Sequence, residues 1–293
     1  MPVYLKRRCN RLFLAEPDKG DNTMPINLNT NIEWTNGTLN PITGGCTPAG
    51  AKKPMCDYCY AWTIANNGFY RRAFPNKFDP TFHPERLDDL RKLKRPSLIF
   101  MDSMGDMFGG FVNPDWVTEC FDAMSVYKQH IYQILTKNPE RIHKILYGDE
   151  GKYYLGGGDY YSHIWLGVTV DRFKALGRID ALRTLKYAYG CGGWNIFASF
   201  EPMMEHIPKK ELYKYLEHLD WLIIGQRTKP FNNPPLEWIH EVVDAAEMFK
   251  VPVFVKNNLI DEGYYPVEYR EQYQKFPPKM CDLLKEGQKY DRM

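Results

Sequence analysis

Short β-rich runs alternate with helical patterns along most of the chain, and this alternation constrains the fold more than any other feature of the sequence. Some of the runs, such as Leu98–Met101 and Trp221–Ile224, are apolar throughout, as expected for strands buried on both faces. Repeated strand–helix units predict an α/β fold with a parallel sheet. The predicted strands are 31–34, 97–101, 130–135, 163–170, 195–200, 220–224 and 251–255.

Three of the intervening helices carry start signals. Asn113 and Pro114 occupy the capping and first helical positions of one helix, and the Asn-Pro pair at 138–139 repeats this signal. A Pro-Pro pair at 234–235 opens the third helix. Apolar residues then recur at helical spacing, so we expect one buried face on each helix. In the first helix these residues are Val117, Cys120, Phe121 and Met124, and in the third they are Ile239, Val242, Val243 and Ala246.

The glycine pattern favours a barrel over a doubly wound sheet. No glycine-rich dinucleotide turn follows the first predicted strand, and the glycines at 156–158 precede a strand in a tyrosine-rich loop, the wrong context for binding phosphate. We therefore predict a partial (β/α)6-type or near-complete parallel barrel. We assign 1–30 to an N-terminal extension, 31–260 to the barrel, and 261–293 to a C-terminal tail packing on it.

Composition narrows the class of protein. A formal net charge of +2 excludes a strongly basic nucleic-acid coat, and 44% hydrophobic with 25% charged residues is ordinary for a globular protein. We find neither a secretory leader nor an apolar run of membrane-spanning length, so we expect a cytoplasmic protein without membrane contact. In a reducing compartment, seven cysteines favour thiols or metal ligands over disulfides.

Three cysteines form the most informative motif. Nine residues separate Cys46 from Cys56, and Cys59 follows at C-x2-C spacing, just after the first predicted strand and before a helix over 60–66. A C-x2-C pair lets two thiolates converge on one metal centre, and a loop can bring the third beside them. Three ligands without an obvious fourth favour a four-iron cluster with one open iron, because a structural zinc site is usually closed by four ligands.

Two other interpretations of these cysteines remain open. A zinc knuckle could take a distant fourth ligand, with His83 and Cys9 as candidates. Alternatively, Cys56 and Cys59 could form a redox pair, with Cys46 incidental.

The remaining cysteines have simpler expectations. Cys120 lies on an apolar helix stripe and is expected in the core, whereas Cys9, Cys191 and Cys281 are expected to be plain thiols. Cys191, between glycines, could approach the site.

The cysteine segment resembles the cluster motif of radical S-adenosylmethionine (SAM) enzymes. In that superfamily an aromatic residue often precedes the last cysteine, as Tyr58 does here, although three residues between the first two cysteines are commoner than nine. A longer set of runs is similar to a phage-associated, radical-SAM-like family of largely unassigned function, also found in bacterial genomes. The runs, within a similarity over roughly 31–260, are 32–35, 40–44, 135–141, 166–170 and 199–202.

The resemblance implies a [4Fe-4S] cluster on Cys46, Cys56 and Cys59 that reductively cleaves SAM to a 5′-deoxyadenosyl radical. That radical would abstract hydrogen from a substrate, in a mutase (isomerase) or lyase type of reaction. An electron donor of the flavodoxin or ferredoxin type is the implied partner. If the chain is encoded by a phage, the host cytoplasm is its expected location.

Polar residues at the carboxyl ends of barrel strands face the active site. Under the resemblance, Ser103 and Asp106 stand where radical SAM enzymes usually carry the Gly-Gly-Glu motif that contacts the SAM ammonium, and the match is loose. Residues 225–227 depart from a second Gly-Gly-Glu-like stretch of the phage family. We assign SAM binding to Asp106, Ser103, Lys137, Thr169 and Ser199, and catalytic roles on substrate to Glu201 and Lys256.

The substrate is less constrained. Aromatic and basic residues interleave over 69–78 and more cations follow over 86–95, a pattern suited to a nucleic-acid groove. A solvated helix face with hydrophobic loop anchors explains the same pattern. Phage association points to enzymes that alter DNA bases, so we expect rearrangement of a modified thymidine in DNA hypermodification, or a DNA-lesion repair lyase of the same chemistry.

Two further classes of function stay open at this stage. One is a non-catalytic, zinc-stabilised nucleic-acid-binding protein. The other is a barrel enzyme of ordinary polar chemistry that uses Asp106, Lys137, Glu201 and Lys256.

Overall fold

The computed structural model describes residues 26–148, 161–187, 193–228, 231–232, 234–261 and 270–290. The glycines at 156–158 and two cysteines, Cys9 and Cys191, lie outside these residues. Within the described part of the chain, no helix is both long and apolar enough to cross a membrane.

Seven strands of the described chain form one parallel sheet, in which each strand pairs with its neighbour in chain order. The sheet curls into a half-barrel, which confirms the predicted partial parallel barrel. The strands are β1 Gly37–Leu39, β2 Leu98–Met101, β3 Ile131–Thr136, β4 Ile164–Thr169, β5 Asn195–Phe200, β6 Trp221–Ile224 and β7 Val253–Val255. Two short antiparallel hairpins accompany it, Ile42–Thr43 with Thr81–Phe82 and Arg227–Thr228 with Phe231–Asn232.

Helices connect the strands, as the alternation predicts. The Asn113 side chain accepts a hydrogen bond from the Asp115 N–H at 3.0 Å, so the expected cap of the helix that begins at Pro114 is present. Both predicted apolar stripes are buried. The helices are α1 Tyr60–Ala65, α2 Asp89–Lys92, α3 Pro114–Val126, α4 Glu140–Tyr147, α5 Gly177–Tyr187, α6 Lys209–Leu216, α7 Leu236–Met248, α8 Asn257–Asp261, α9 Arg270–Tyr273 and α10 Pro278–Tyr290.

The first strand is not where the sequence predicts it. Residues 31–34 form a turn, closed by the Thr35 N–H donating to the Ile32 carbonyl, and β1 begins at Gly37. The apolar alternation of Ile32 and Trp34 arises for another reason, because both side chains pack inside the half-barrel rather than in the sheet. The prediction of a strand at 31–34 is therefore wrong by a few residues.

Aromatic side chains fill the amino-terminal end of the half-barrel. Trp165, Phe197 and Trp221 project from neighbouring strands into one buried cluster with Trp34. Gly167 is opposite Phe197 in the β4–β5 register, and a Cβ at Gly167 would lie 2.3 Å from the Phe197 ring, so only glycine leaves room for that ring. Helix α10 covers the cluster with Met280, Cys281 and Leu284.

The structure also describes Cys120 and Cys281, two cysteines outside the three-cysteine motif. Cys120 is buried on α3, as predicted. Cys281 takes part in a disulfide, so the prediction that it is a plain thiol is wrong.

Candidate functional site

A cavity of about 350 Å³ opens at the carboxyl ends of the parallel strands. Barrel enzymes carry their active sites at this end of the sheet. All ten side chains that the sequence singles out as site residues line this cavity, and the structure therefore brings them together. They are Cys46, Cys56, Cys59, Ser103, Asp106, Lys137, Thr169, Ser199, Glu201 and Lys256.

Close backbone packing fixes the loop that carries the first cysteine. Gly44 and Gly45 have φ values of 71° and 89°, in the left-handed region that favours glycine. The Gly44 N–H donates to the Met104 carbonyl at 3.1 Å, and a Cβ at Gly105 would lie 2.7 Å from the Gly44 oxygen. The glycines before Cys46 thus allow its loop to lie directly against the loop that follows β2.

The other two cysteines lie at the start of α1. The Cys59 N–H donates to the Cys56 carbonyl at 3.2 Å, which closes a tight turn between them. The Cys59 sulfur caps the helix by accepting the Trp62 N–H at 3.3 Å. Lys137, which follows β3, places its Nζ 3.2 Å from the Cys56 sulfur. All three cysteines are half-buried thiols.

The three thiols line one cavity, and the chemistry of these donors bears on the metal centre that they suit. Among the described residues, no group of three or more His, Cys, Asp or Glu side chains is arranged so that it could hold a metal ion. A structural zinc site is usually closed by four ligands around one ion, whereas each thiolate of an iron–sulfur cluster binds a different iron.

The electrostatics of the thiols also suits a cluster. Burial, and then the nearby negative charges of Asp106 and of the other two cysteines, raises the pKa of Cys46 to about 12. Three thiolates gathered here would therefore need compensating positive charge, and the irons of a cluster provide it. The donor set of three soft sulfurs in a partly closed cavity fits an iron–sulfur cluster.

The proposed zinc ligand His83 is engaged elsewhere. Its ring nitrogens lie 3.4 Å from the Thr43 hydroxyl and 3.6 Å from a Glu85 carboxylate oxygen. His83 does not line the cavity that the cysteines share. The geometry therefore disfavours a zinc site completed by His83.

Asp106 is buried and binds protein donors from two loops. Its Oδ1 accepts from the Thr136 hydroxyl at 2.6 Å and from the Phe108 N–H at 3.1 Å, and its Oδ2 accepts from the Lys137 N–H at 3.0 Å. Burial raises the pKa of Asp106, and these hydrogen bonds oppose the rise. The carboxylate ties the end of β3 to the loop that packs on Gly44 and Gly45.

A chain of hydrogen bonds runs from Cys56 to Asp171, just beyond the carboxyl end of β4. Lys137 Nζ donates to the Tyr58 hydroxyl at 2.8 Å, and that hydroxyl donates to Asp171 at 2.8 Å. Burial alone would raise the pKa of Asp171, but the hydrogen bond from Tyr58 and the positive charges of Lys137 and Arg178 lower it. This chain holds Lys137 next to Cys56 and keeps Asp171 ionised.

Three hydroxyl residues take different positions around the cavity. The Ser103 hydroxyl donates to the Asn40 side chain at 3.1 Å and so is already bonded. Thr169 and Ser199 are opposite each other in the β4–β5 register. Among the described residues, neither of their hydroxyls is hydrogen-bonded, and both are free to meet a ligand.

A half-buried ion triad lies at the site, and two of its members, Glu201 and Lys256, line the cavity. Lys256 Nζ lies 2.6 Å from Glu201 Oε1 and 3.7 Å from Glu33 Oε2. Burial would lower the pKa of Lys256, but the two carboxylates outweigh it and raise that pKa, so the ammonium stays charged. A Cβ at Gly225 would lie 2.8 Å from Lys256 Cδ and 2.9 Å from Glu201 Cδ, which shows that glycine leaves space for the pair.

Sequence reasoning missed Glu33 and Gly225 as parts of this arrangement. Glu33 also accepts the Asn257 N–H at 3.1 Å and so links the segment before β1 to the segment after β7, the two edge strands of the sheet. More than 200 residues separate these partners, and the only local signal is a carboxylate between the apolar residues Ile32 and Trp34. The signal for Gly225 is its place at the end of a buried strand.

Comparison with known proteins gives a family. No curated protein matches the chain. A mutant of spore photoproduct lyase with bound AdoMet and dinucleoside spore photoproduct is 14% identical with a TM-score of 0.45, covering 73% of this chain and 61% of that one. Another mutant of the lyase is 12% identical with a TM-score of 0.47, covering 76% and 65%.

The chain thus spans less than two thirds of the length of either lyase structure. A family model matches residues 29–292. The chain belongs to the family described as protein of unknown function (DUF5131).

Proposed function

We propose that this protein is a radical SAM enzyme in which Cys46, Cys56 and Cys59 hold a [4Fe-4S] cluster. The observation that carries the proposal is the meeting of three thiols at one cavity on the carboxyl end of a parallel half-barrel. Cysteine ligation in a C-x2-C pair plus one loop residue is the chemistry of iron–sulfur sites. When bound and reduced, such a cluster supplies the single electron that cleaves the SAM sulfonium.

The residues around the thiols would tune and shield this centre. The Lys137 ammonium beside Cys56 places a hydrogen-bond donor against one of the proposed cluster ligands. Ala61, Phe78 and Met104 pack with the cysteines on one side and limit access of water to them. These contacts favour a centre that is held in a partly apolar shell.

The cosubstrate would lie between the cysteines and the ion triad. Thr169 and Ser199, paired at the carboxyl ends of β4 and β5, offer open hydroxyls to the cavity that suit a ribose diol or a carboxylate. Asp106 and Ser103 use most of their hydrogen-bonding capacity on the protein, so we assign them to positioning the loop around the cosubstrate. Trp34 and Phe100 supply flat apolar surface for an adenine or another planar ring.

Glu201 and Lys256 are proposed to act on the substrate. Lys256 donates to Glu201 Oε1, while Glu201 Oε2 accepts no hydrogen bond from the described residues. That oxygen can receive a substrate N–H or O–H, and the neighbouring ammonium can donate to a substrate oxygen. The pair would orient the substrate for hydrogen abstraction and hold a proton at Lys256 Nζ.

The proposed substrate is a modified thymidine or another DNA base, which the enzyme would rearrange in a mutase reaction. The alternative is a lyase reaction that repairs a DNA lesion. The aromatic lining of the cavity supports a planar substrate group. An electron donor of the flavodoxin or ferredoxin type completes the proposed system.

A product assay tests this function. The protein is loaded with iron and sulfide without oxygen, reduced with dithionite, and incubated with SAM. We expect 5′-deoxyadenosine and methionine in equal amounts by mass spectrometry, in wild type and in Cys120→Ala, whose thiol is buried away from the cavity on α3. Iron-loaded protein that binds SAM but forms neither product would refute the proposal.

A further inference from the structure

Large apolar side chains are exposed on the segment that carries the cysteines. Phe69 is 86% exposed, Met55 67% and Tyr70 43%, although such residues are usually buried. Phe69 and Tyr70 contact each other edge to face, with ring centroids 5.1 Å apart. With so much of the Phe69 ring exposed, a ring face remains open to a flat partner.

The same segment anchors itself with other aromatic residues. Phe74 and Phe78 are buried against Ala61, Ala65 and Met104. The structure thereby separates two interpretations of the aromatic pattern over 69–78, because Phe74 and Phe78 serve as loop anchors. Phe69 and Tyr70 do not, and loop packing leaves their exposure unexplained.

Exposed cations accompany these rings without acidic partners. Residues 44–80 contain five Lys or Arg and two Asp, and one of those Asp side chains, Asp79, accepts the Gly50 N–H at 2.8 Å. Within the described residues, none of the five cations forms an ion pair or a side-chain hydrogen bond. They are Lys52, Lys53, Arg71, Arg72 and Lys77.

Paired cations elsewhere in the described chain offer a matched comparison. Lys209 and Lys214 on α6 pair with Asp244 and Glu211 at 3.1 and 2.6 Å. The five cations within residues 44–80 lack such partners among the described residues, although the chain carries a net charge of only +2.

We propose that the surface of Phe69, Tyr70, Arg71 and Arg72 binds single-stranded nucleic acid. An open aromatic ring next to unpaired cations provides base stacking together with phosphate contacts. Stacking requires unpaired bases, so the geometry favours a single strand over a duplex.

A short helix connects this surface to the cavity. Tyr60 and Ala61 at the start of α1 line the cavity, and Phe69 follows shortly after the end of α1 at Ala65, so a strand bound here would lie near the cavity mouth. This consequence, a polymeric rather than a free nucleotide substrate, rests on the proposed function. The binding itself does not, because it requires no cluster.

Binding is tested by fluorescence anisotropy with a labelled oligothymidine of about 16 nucleotides, at several salt concentrations. The variant Phe69→Ala should weaken binding about tenfold through loss of stacking. The double variant Arg71→Ala/Arg72→Ala should weaken binding and reduce the salt slope by about one to two units. The matched control, Lys209→Ala/Lys214→Ala, removes two cations that are already paired and should bind as wild type does.

Several results would overturn the proposal. An equal loss of affinity in the Lys209→Ala/Lys214→Ala control would mean that binding is non-specific charge attraction. An unchanged affinity in Phe69→Ala would exclude stacking. Competition by polyglutamate as strong as that by unlabelled oligothymidine would indicate an acidic protein partner instead. Iron content and SAM cleavage are measured on the same samples, so a failed cluster with intact oligonucleotide binding refutes only the proposed function.

Discussion

The two ends of the half-barrel carry different kinds of side chain. At the amino-terminal end, aromatic rings from the strands pack against helix α10, and little polar surface is present. At the carboxyl end, thiols, hydroxyls and an ion triad surround a cavity. The contrast indicates that one end mainly stabilises the fold while the other is free to carry chemistry, as in barrel enzymes generally.

The largest expected loss of stability comes from the aromatic end. Trp221 contacts Phe197, Phe254 and Phe276 with ring centroids 5.8, 6.3 and 5.5 Å away, and its Nε1–H donates to the Lys275 carbonyl. Trp221→Ala should therefore lower the free energy of unfolding by about 4 kcal/mol. Urea denaturation measures this, and iron bound per folded chain should not change. A loss of iron without loss of stability would show that the aromatic end serves the metal centre and not the fold.

A second substitution tests the cavity end, where the ion triad is half-buried. Lys256→Met leaves the Glu33 and Glu201 carboxylates without their cation and should lower the free energy of unfolding by about 2 to 3 kcal/mol. Adding Glu201→Gln should restore part of that loss. Lys209→Met, at an exposed pair on α6, serves as control and should denature as wild type does. An unchanged free energy of unfolding in Lys256→Met would show that the triad does not stabilise the fold.

The amino-terminal end also predicts a pH dependence. Burial lowers the pKa of His163 to about 4, while its Nε2–H donates to the Met124 carbonyl at 3.1 Å. Between pH 6.5 and 4 the unfolded chain binds a proton that the folded chain refuses, so stability falls as the pH falls through this window. The loss should be about 2 to 3 kcal/mol at pH 4.

Denaturation of wild type and His163→Gln across this range checks the prediction. The variant should lose stability less steeply than wild type on acidification. Parallel pH profiles for the two proteins would show that His163 titrates normally.

The smallest effect concerns Gly225. An added Cβ would press on Lys256 and Glu201, which are fixed in their ion pair, so Gly225→Ala should cost about 1 to 2 kcal/mol. At Gly110 nothing lies within 4 Å of an added Cβ, and Gly110→Ala should be neutral or slightly stabilising. Thermal unfolding of the two variants compares them directly, and equal melting temperatures would contradict the close packing at Gly225.

Much of the fold follows from local sequence patterns. Six of the seven sheet strands lie within two residues of their predicted bounds, and the helix over Pro114–Val126 begins where it is predicted, because their patterns reflect burial on known faces. The first strand was misplaced because Ile32 and Trp34 mimic strand alternation while filling the barrel interior. A period of two records burial of alternate residues, and other structures than a strand can produce it.

The site was partly predictable for a similar reason. Parallel strands bring their carboxyl ends to one edge, so strand-end residues such as Lys137 and Ser199 meet at the cavity. Their individual contacts were not predictable. That Asp106 binds Thr136 and the Lys137 N–H, and that Glu33 reaches Lys256, depends on loop paths that no local pattern encodes.

Cys46, Cys56 and Cys59 are proposed to hold one cluster together, and iron content tests this directly. After anaerobic reconstitution, wild type and Cys120→Ala should each bind about four irons per chain and show the spectrum of a [4Fe-4S] cluster. Cys46→Ala, Cys56→Ala and Cys59→Ala should each remain folded and bind little iron. Full iron in any of these three variants, or zinc in place of iron in wild type, would contradict the account.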